Sequence, residues 1–539
     1  MRGLPEDLAT IARDVGSLLG LEAGLMALSA VVALGFAEVR VALAFLLAAG
    51  VTGGVGLAAR RAVPDARPPT MKHGMVIAAG GWLAVAAFGA LPFLASAWLV
   101  PDAVAAGFVP AAADYAESSL VTLRSPLHAF FESMSGWTGS GLTMAVHEPS
   151  LPRGIQWWRT LSQYVGGVGV IVLTVSILAR PGSGSYALYR SEAREEKIHP
   201  SVVSTVRTVW KIFVGYTVFA ILALFVAIRL AAPAIPTWET AWQALNHGMT
   251  ALSTGGFSVT DDSIATYGSP LIETVLLPVM TLGAIAFPVH YALLRDRDLG
   301  QLRRDVQTRW LLVVLVVGAI LLSLQNLAAL TGAFEAAWVA LPDVGLSAPQ
   351  VDAVRDSVFQ FVSALTCTGF QSAPIGAWGA GGKLLLSGAM VLGGAAGSTV
   401  GGIKIIRGYT VMRGIRWQFH RVFLPRSTVV TARLGDRVLD REQMEAEFAE
   451  AAIVSLLWVL LLVASSLVLL NAVGPGVSYA DALFEVASAQ GNVGLSTGLT
   501  GPGMDPLAEG LFTLNMWVGR LEIIPVLVFG RALLFGLDP

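Results

Sequence analysis

Long apolar runs, broken at wide intervals by short polar stretches, dominate the chain. Runs such as Trp310 to Leu330 and Ile453 to Leu470 carry no Asp, Glu, Lys or Arg. About 18 such residues suffice for a helix to cross a hydrocarbon core about 30 Å thick. Taken in order, the runs predict helices near 17–37, 41–57, 74–100, 155–179, 208–230, 268–294, 308–333, 383–413, 447–471 and 508–533, ten crossings in all.

Polar residues orient this array. Every second connection is basic: Arg60, Arg61, Arg67 and Lys72; Arg180, Arg190, Arg194, Lys197 and Arg207; Arg295, Arg297, Arg303, Arg304 and Arg309; then Arg413, Arg416, Arg421, Arg426, Arg433 and Arg437. Basic connections stay on the cytoplasmic side, which places both termini there too. The opposite connections are long, poor in Lys and Arg, and carry acids such as Asp102, Asp114, Glu117, Asp261, Asp262, Asp343 and Asp352. The N-terminus lacks the pattern of a cleaved signal peptide, because Glu6, Asp7, Arg13 and Asp14 precede a full-length apolar run.

Four of the opposite connections contain an apolar stretch too short to span, which reads as a re-entrant half-helix. Aligned, they form an internal repeat: Phe130 to Leu142, Ala244 to Phe257, Val358 to Phe370 and Leu483 to Leu495. Phe131, Phe359 and Phe484 precede Glu132, Gln360 and Glu485. Three residues on come Ser135, Ser363 and Ser488, and six further a glycine. The second copy places Asn246, His247 and Thr250 at these positions. The closing glycines, Gly141, Gly256, Gly369 and Gly494, are 113 to 125 residues apart, room for helix, loop and helix. The expected architecture is an all-α integral membrane protein: four helix/pore-loop/helix pseudo-repeats around a central pore, preceded by two transmembrane helices. The boundaries are a two-helix extension over 1–73 and repeats over 74–180, 181–295, 296–413 and 414–539.

The loop sequences suit a cation. An ion leaves water when several oxygens replace its shell, and rings of backbone carbonyls do this. Thr138-Gly139-Ser140-Gly141, Ser253-Thr254-Gly255-Gly256, Thr366-Cys367-Thr368-Gly369 and Gly491-Asn492-Val493-Gly494 consist mostly of small residues. Glycine admits the backbone angles that expose carbonyls. Each preceding half-helix would aim the negative end of its dipole at the membrane interior. The alternative for any one loop is tight helix packing through small residues; four loops in register favour a pore.

Composition narrows the classes. The chain is 55% hydrophobic and 13% charged, with formal net charge −2, which offers a polyanion such as nucleic acid no attraction. Its one cysteine, Cys367, excludes an intrachain disulfide. Gly494-Leu495-Ser496-Thr497-Gly498 fits the hydrolase pattern G-x-S-x-G but lies in a pore loop rather than on a strand-turn-helix elbow. No HExxH or Walker A pattern occurs, and the seven histidines have no metal-ligand spacing. The reading is a transporter, not an enzyme, with no bound organic cofactor. A membrane scaffold would leave the four synchronous loops unexplained; the ion-binding subunit of a pump stays open.

The chain resembles the Trk/Ktr/HKT superfamily of potassium transporters over nearly its whole length. Beside the loops, Trp158-Arg159-Thr160 with Gly166-Gly167-Val168-Gly169, the run Gly393 to Lys404, and Gly519-Arg520-Leu521-Glu522 look like the family's signature stretches in repeats one, three and four. The resemblance implies that the four glycines contribute to a selectivity filter and that Gly141 favours potassium, where a serine accompanies sodium transport. The N-terminal helices are similar to the TrkH branch, whereas Gly494-Leu495-Ser496 looks more like the KtrB branch; a sodium-permeable HKT-like transporter is a further alternative beside the pump subunit. The resemblance also implies bacterial inner-membrane location, surrounding lipid, a homodimer, and a cytosolic nucleotide-binding regulatory ring, TrkA-like or KtrA-like.

Two further features suggest a gate. Gly393 to Gly402 lies within a long apolar run yet holds five glycines, Ser398 and Thr399, each glycine costing a helix about 1 kcal/mol against alanine. A break there is expected, and broken helices flank transport paths; close packing through small residues is the alternative. The gate set is Gly397, Ser398, Thr399, Gly401, Gly402, Lys404 and Arg520. Inside an apolar span, Arg520 needs acceptors. Carbonyls of the Gly397 to Gly402 loop are one set; pairing with Glu522 or snorkelling is the other. Lys404 reads equally as a gate element or as an interfacial anchor.

Overall fold

The computed structural model describes residues 6–64, 69–178, 202–331, 347–423, 432–434, 437–474 and 476–537. Arg67, Arg180, Arg190, Arg194, Lys197, Asp343 and Arg426 lie outside the described residues. The chain opens with a hairpin of α1 (Glu6–Gly35) and α2 (Val39–Ala62), then α3 (Met71–Leu99). Four units follow, each with a short helix before its closing glycine. They are α4 (Pro126–Thr138) and α5 (Arg153–Leu178); α6 (Val202–Ala231), α7 (Thr237–Leu252), α8 (Pro270–Ala284) and α9 (Phe287–Arg295); α10 (Val306–Thr331), α11 (Ala348–Leu365), α12 (Ala380–Leu392) and α13 (Ile405–Val422); and α14 (Arg441–Val473), α15 (Tyr479–Gly491), α16 (Pro506–Leu521) and α17 (Ile524–Phe535). Among the described residues, the strands form a small antiparallel hairpin, β1 (Ala432–Leu434) with β2 (Arg437–Leu439).

Among the described residues, α1, α2, α3, α6, α10 and α14 are long and apolar enough to cross a bilayer uninterrupted. Their outward faces carry exposed apolar side chains, for example Leu21, Val31, Phe219, Leu222, Val316 and Leu456, as expected where lipid replaces water. The interior is unusually polar. The C-terminal halves of the short helices α4, α7, α11 and α15 are buried on nearly all sides, and their Glu132, His247, Gln360 and Glu485 are wholly enclosed. A half-helix inside a ring of spanning helices has no lipid-facing side, so its sequence need not be strongly apolar.

The expected second helices of repeats two, three and four are each interrupted. The break at Gly393 follows from the glycine run; those at Ile285–Ala286 and Glu522–Ile523 were not expected. Between α8 and α9 the axis bends by 107°. Both new breaks are followed by a proline in the first turn of the next helix, Pro288 and Pro525, where the ring suits a helix start. The interruptions fall at similar distances after the closing glycines, and two of them satisfy each other. Ala395 and Thr399 donate backbone N–H groups to the freed carbonyls of Ala284 (3.1 Å) and Gly283 (3.2 Å), and Phe287 donates to Gly397 (3.0 Å). Non-helical backbone at this depth is tolerated where protein supplies such partners.

Candidate functional site

All four short helices end in the same turn. Ser140, Gly255, Thr368 and Val493 donate their N–H to the carbonyls of Ser135, Thr250, Ser363 and Ser488, each at 2.9 Å. The preceding N–H of Gly139, Thr254, Cys367 and Asn492 returns to Gly136, Ala251, Ala364 and Ala489 at 3.0–3.2 Å. This paired pattern is a Schellman cap, which requires a left-handed residue at its centre. Gly139 accepts that role freely at φ +70°; Thr254, Cys367 and Asn492 are held there at φ +52°, +50° and +54°. A β-branched threonine in this region is an outlier that only its surroundings can maintain.

The closing glycines follow two residues later at φ +75° to +100°, and they form a cycle. A Cβ on Gly141 would lie 2.3 Å from the carbonyl oxygen of Gly255, one on Gly256 2.0 Å from Thr368, one on Gly369 1.8 Å from Val493, and one on Gly494 2.5 Å from Ser140. In every case the neighbour is the residue just before the next loop's closing glycine. No side chain can occupy any of the four positions without parting the loops. All four glycines also line one cavity of about 480 Å³.

Most repeat positions have an identifiable task, although Ser135 Oγ is buried with no hydrogen-bond partner. Phe131, Phe359 and Phe484 are buried anchors. The residue after each anchor fastens the outgoing strand of its own loop. Glu132 accepts from Met144 N (2.8 Å) and Thr143 Oγ1 (3.0 Å); Val259 N donates to His247 Nε2 (3.3 Å); Gln360 Nε2 donates to Ser372 Oγ (3.2 Å). Glu485 accepts from Ser496 Oγ, Thr497 N and Thr500 Oγ1 at 2.6–2.7 Å. Thr250 Oγ1 and Ser363 Oγ donate to the carbonyls of Phe257 and Phe370 at 2.9 and 2.8 Å, closing the two middle loops. These paired groups hold each loop to its own outgoing strand.

The sequence of residues 73–534 matches the family model TrkH, described as "Cation transport protein". The chain belongs to the TrkH cation transport protein family. It is 30% identical to an uncharacterised cation transporter of Methanocaldococcus jannaschii over 472 residues, 87% of this chain and 85% of that one. It is 29% identical to the Trk system potassium uptake protein TrkH of Halomonas elongata over 90% of each chain. Likewise, it is 29% identical to Escherichia coli TrkH over 85% and 84%. The crystal structure of the potassium transporter TrkH from Vibrio parahaemolyticus superposes with a TM-score of 0.76 at 25% identity, covering 96% of this chain and 98% of that one. The fold is thus that of a multi-pass membrane transporter, and the family match begins at residue 73, near the start of α3, and leaves out the α1/α2 hairpin.

In this TrkH-family chain Arg520, at the end of α16, is buried and uses its fork across three elements. Nη1 donates to the carbonyl of Thr399 (2.8 Å), and Nη2 to the carbonyls of Gly166 and Gly167 on α5 (3.0 Å each). Glu522 pairs with Arg407 on α13 rather than with Arg520. Thr399 Oγ1 also contacts Thr254 Oγ1 (2.9 Å) and the Gly283 carbonyl (3.0 Å), so this residue links the broken helix to the second loop. Lys404 Nζ donates to the carbonyl of Val400 within the run, and Gln307 Oε1 accepts from Ala396 N (2.7 Å). Cys367 is buried.

Gln163 was not foreseen, and the side chain of Asn492, a residue expected in the fourth loop, has a task beyond the one expected of it. Gln163 on α5 clamps the second loop, donating to the Gly255 carbonyl (2.6 Å) and accepting from Phe257 N (3.0 Å). Asn492 Nδ2 bridges Ser140 Oγ (2.8 Å) and the Met516 carbonyl (2.9 Å), tying the first and fourth loops together. Arg159, from the stretch Trp158-Arg159-Thr160, lies behind the first two loops. Its Nε donates to Glu132 Oε1 (2.6 Å), Nη1 to the Ser258 carbonyl (2.9 Å) and Nη2 to Thr143 Oγ1 (3.0 Å).

Proposed function

We propose that this chain carries potassium into the cell across a bacterial inner membrane, through a filter built from the loops Thr138 to Gly141, Ser253 to Gly256, Thr366 to Gly369 and Gly491 to Gly494. The observation that carries the reading is the closed cycle of the four glycines, each pressed against peptide oxygen of the next loop. Four chemically similar peptide segments around one axis can exchange an ion's water for carbonyl oxygen. The names of the Halomonas and Escherichia relatives supply the ion, and Gly141 agrees with the potassium preference expected from the resemblance. An inside-negative potential contributes about 2.3 kcal/mol per charge per 100 mV, enough to drive the inward step.

Beneath the filter, the Gly393 to Lys404 run is the gate, held by Arg520. Both termini and the basic connections face the cytoplasm, where a nucleotide-binding regulatory ring docks on a homodimer. The deciding experiment is rubidium influx into proteoliposomes under an imposed potential, with sodium as competitor. Rubidium is carried in preference to sodium by the unmodified protein, and Gly141→Ser lowers the preference at least tenfold. Equal permeation of both ions in the unmodified protein rejects the potassium assignment.

A further inference from the structure

The cavity outside the glycine cycle contains a carboxylate with no assigned task. Glu148, in the short turn Glu148–Ser150 between α4 and α5, lines this cavity with Asp261 and Asp262. It is only 7% exposed, and its Oε2 has no hydrogen-bond partner. The nearest cation does not claim it. Arg159 Nη2 stands 3.9 Å from Glu148 Oε1, too far for a hydrogen bond, and all three Arg159 nitrogens are engaged by Glu132, Ser258 and Thr143. Glu132 already balances the Arg159 charge. A carboxylate so buried and unpaired takes up either a proton or a cation.

We infer that Glu148, with Asp261 and Asp262, forms an outer binding site for a hydrated monovalent cation, and that protons compete with the cation for Glu148. This rests on the transport reading above and names a step before the filter. The cavity of about 480 Å³ has room for about 16 waters at about 30 Å³ each, so an ion enters with its shell. The charged and titratable groups facing Glu148 are Arg159 on α5, Glu132 on α4 and Asp261 on the loop after α7. His147, its chain neighbour, contacts Asp261 (3.2 Å) and stacks on Tyr115 at 3.6 Å, and Asp114 lies beside that ring. Burial pushes the Glu148 carboxyl up to about 8; Arg159 opposes this, while Glu132 and Asp261 reinforce it. Near neutral pH the site is mostly closed by its proton.

If only the ionised form binds, the half-saturating cation concentration scales inversely with the ionised fraction. With the carboxyl at about 8, that fraction rises about tenfold between pH 7 and 9. The test is initial rubidium influx into proteoliposomes against rubidium concentration, with internal pH and potential fixed and external pH varied. The unmodified protein should show a fall of about tenfold in half-saturating rubidium from pH 7 to 9. Glu148→Gln should give a flat profile near the pH 7 value, and Glu148→Asp should retain the slope. A flat profile in the unmodified protein, or an unaltered slope in Glu148→Gln, overturns the site while selective rubidium flux leaves the transport reading intact. Absence of rubidium flux in the unmodified protein overturns both. The unmodified profile decides the matter even if Glu148→Gln does not fold.

Discussion

Replacing Arg520 by alanine removes three donors from one buried junction: one to Thr399 in the broken stretch and two to Gly166 and Gly167 on α5. Hydrogen bonds from a charged group each contribute about 1.5–3 kcal/mol. Only the Thr399 bond holds the Gly393 to Lys404 stretch directly, so the closed position proposed for it loses about that much. The other two anchor the guanidinium itself, and their loss is partly offset because a buried charge no longer has to be desolvated. A shift of 1.5–3 kcal/mol multiplies the open population by about 10 to 160. The expected result is a basal rubidium influx raised at least tenfold in proteoliposomes containing no partner protein. Arg520→Lys keeps one charge but loses the planar fork, and should fall between. Basal influx within about twofold of the unmodified protein, in an alanine variant that elutes and melts normally, would refute the role of Arg520 in closure.

Gly369→Ala places its Cβ 1.8 Å from the Val493 oxygen, where ordinary contact begins at 3.4 Å. The third and fourth loops must part by the difference, about 1.6 Å, with a further cost of about 1–2 kcal/mol for left-handed backbone; rubidium-over-sodium preference should fall at least tenfold with helix content unchanged, and an unaltered ratio would contradict the cycle. Glu485→Gln exchanges a carboxylate that fastens Ser496, Thr497 and Thr500 for an amide with weaker acceptor power. A loss of about 1.5–3 kcal/mol should appear as a lower melting temperature in detergent, and an unchanged one would show that these bonds are dispensable. Stability should also depend on pH through Glu148. Its folded carboxyl sits at about 8, above the ordinary 4.5, so the folded chain holds a proton that the unfolded chain has released. Stability is therefore fully present below about 4.5 and declines as pH rises toward about 8. Melting curves should show this decline in the unmodified protein and a shallower one in Glu148→Gln; identical slopes would remove Glu148 as the cause.

Much of the plan could be read from the chain because its causes are local. Apolar run length sets which segments can span. The recurrence of Phe131, Phe359 and Phe484 before Glu132, Gln360 and Glu485 reflects one anchoring and fastening task repeated in each loop. The closing glycines were legible because the fold needs left-handed backbone and no Cβ at those points, and glycine supplies both. The break at Gly393 was legible for the related reason that clustered glycines make poor helix.

What the sequence by itself determined was the all-helical membrane class, the four related loops and the residues unable to be anything but glycine. Tertiary structure alone decided which groups answer one another across the chain. Carbonyl oxygens are the same at every residue, so nothing local marks Gly166, Gly167 and Thr399 as the acceptors of Arg520. The pairing of Glu522 with Arg407 rather than Arg520 is likewise a matter of three-dimensional placement. The break between α8 and α9 was hidden behind a continuous apolar run, because a helix can stop in a membrane wherever another segment satisfies its freed backbone. Here the partners come from residues more than a hundred positions away, and only the folded chain brings them together.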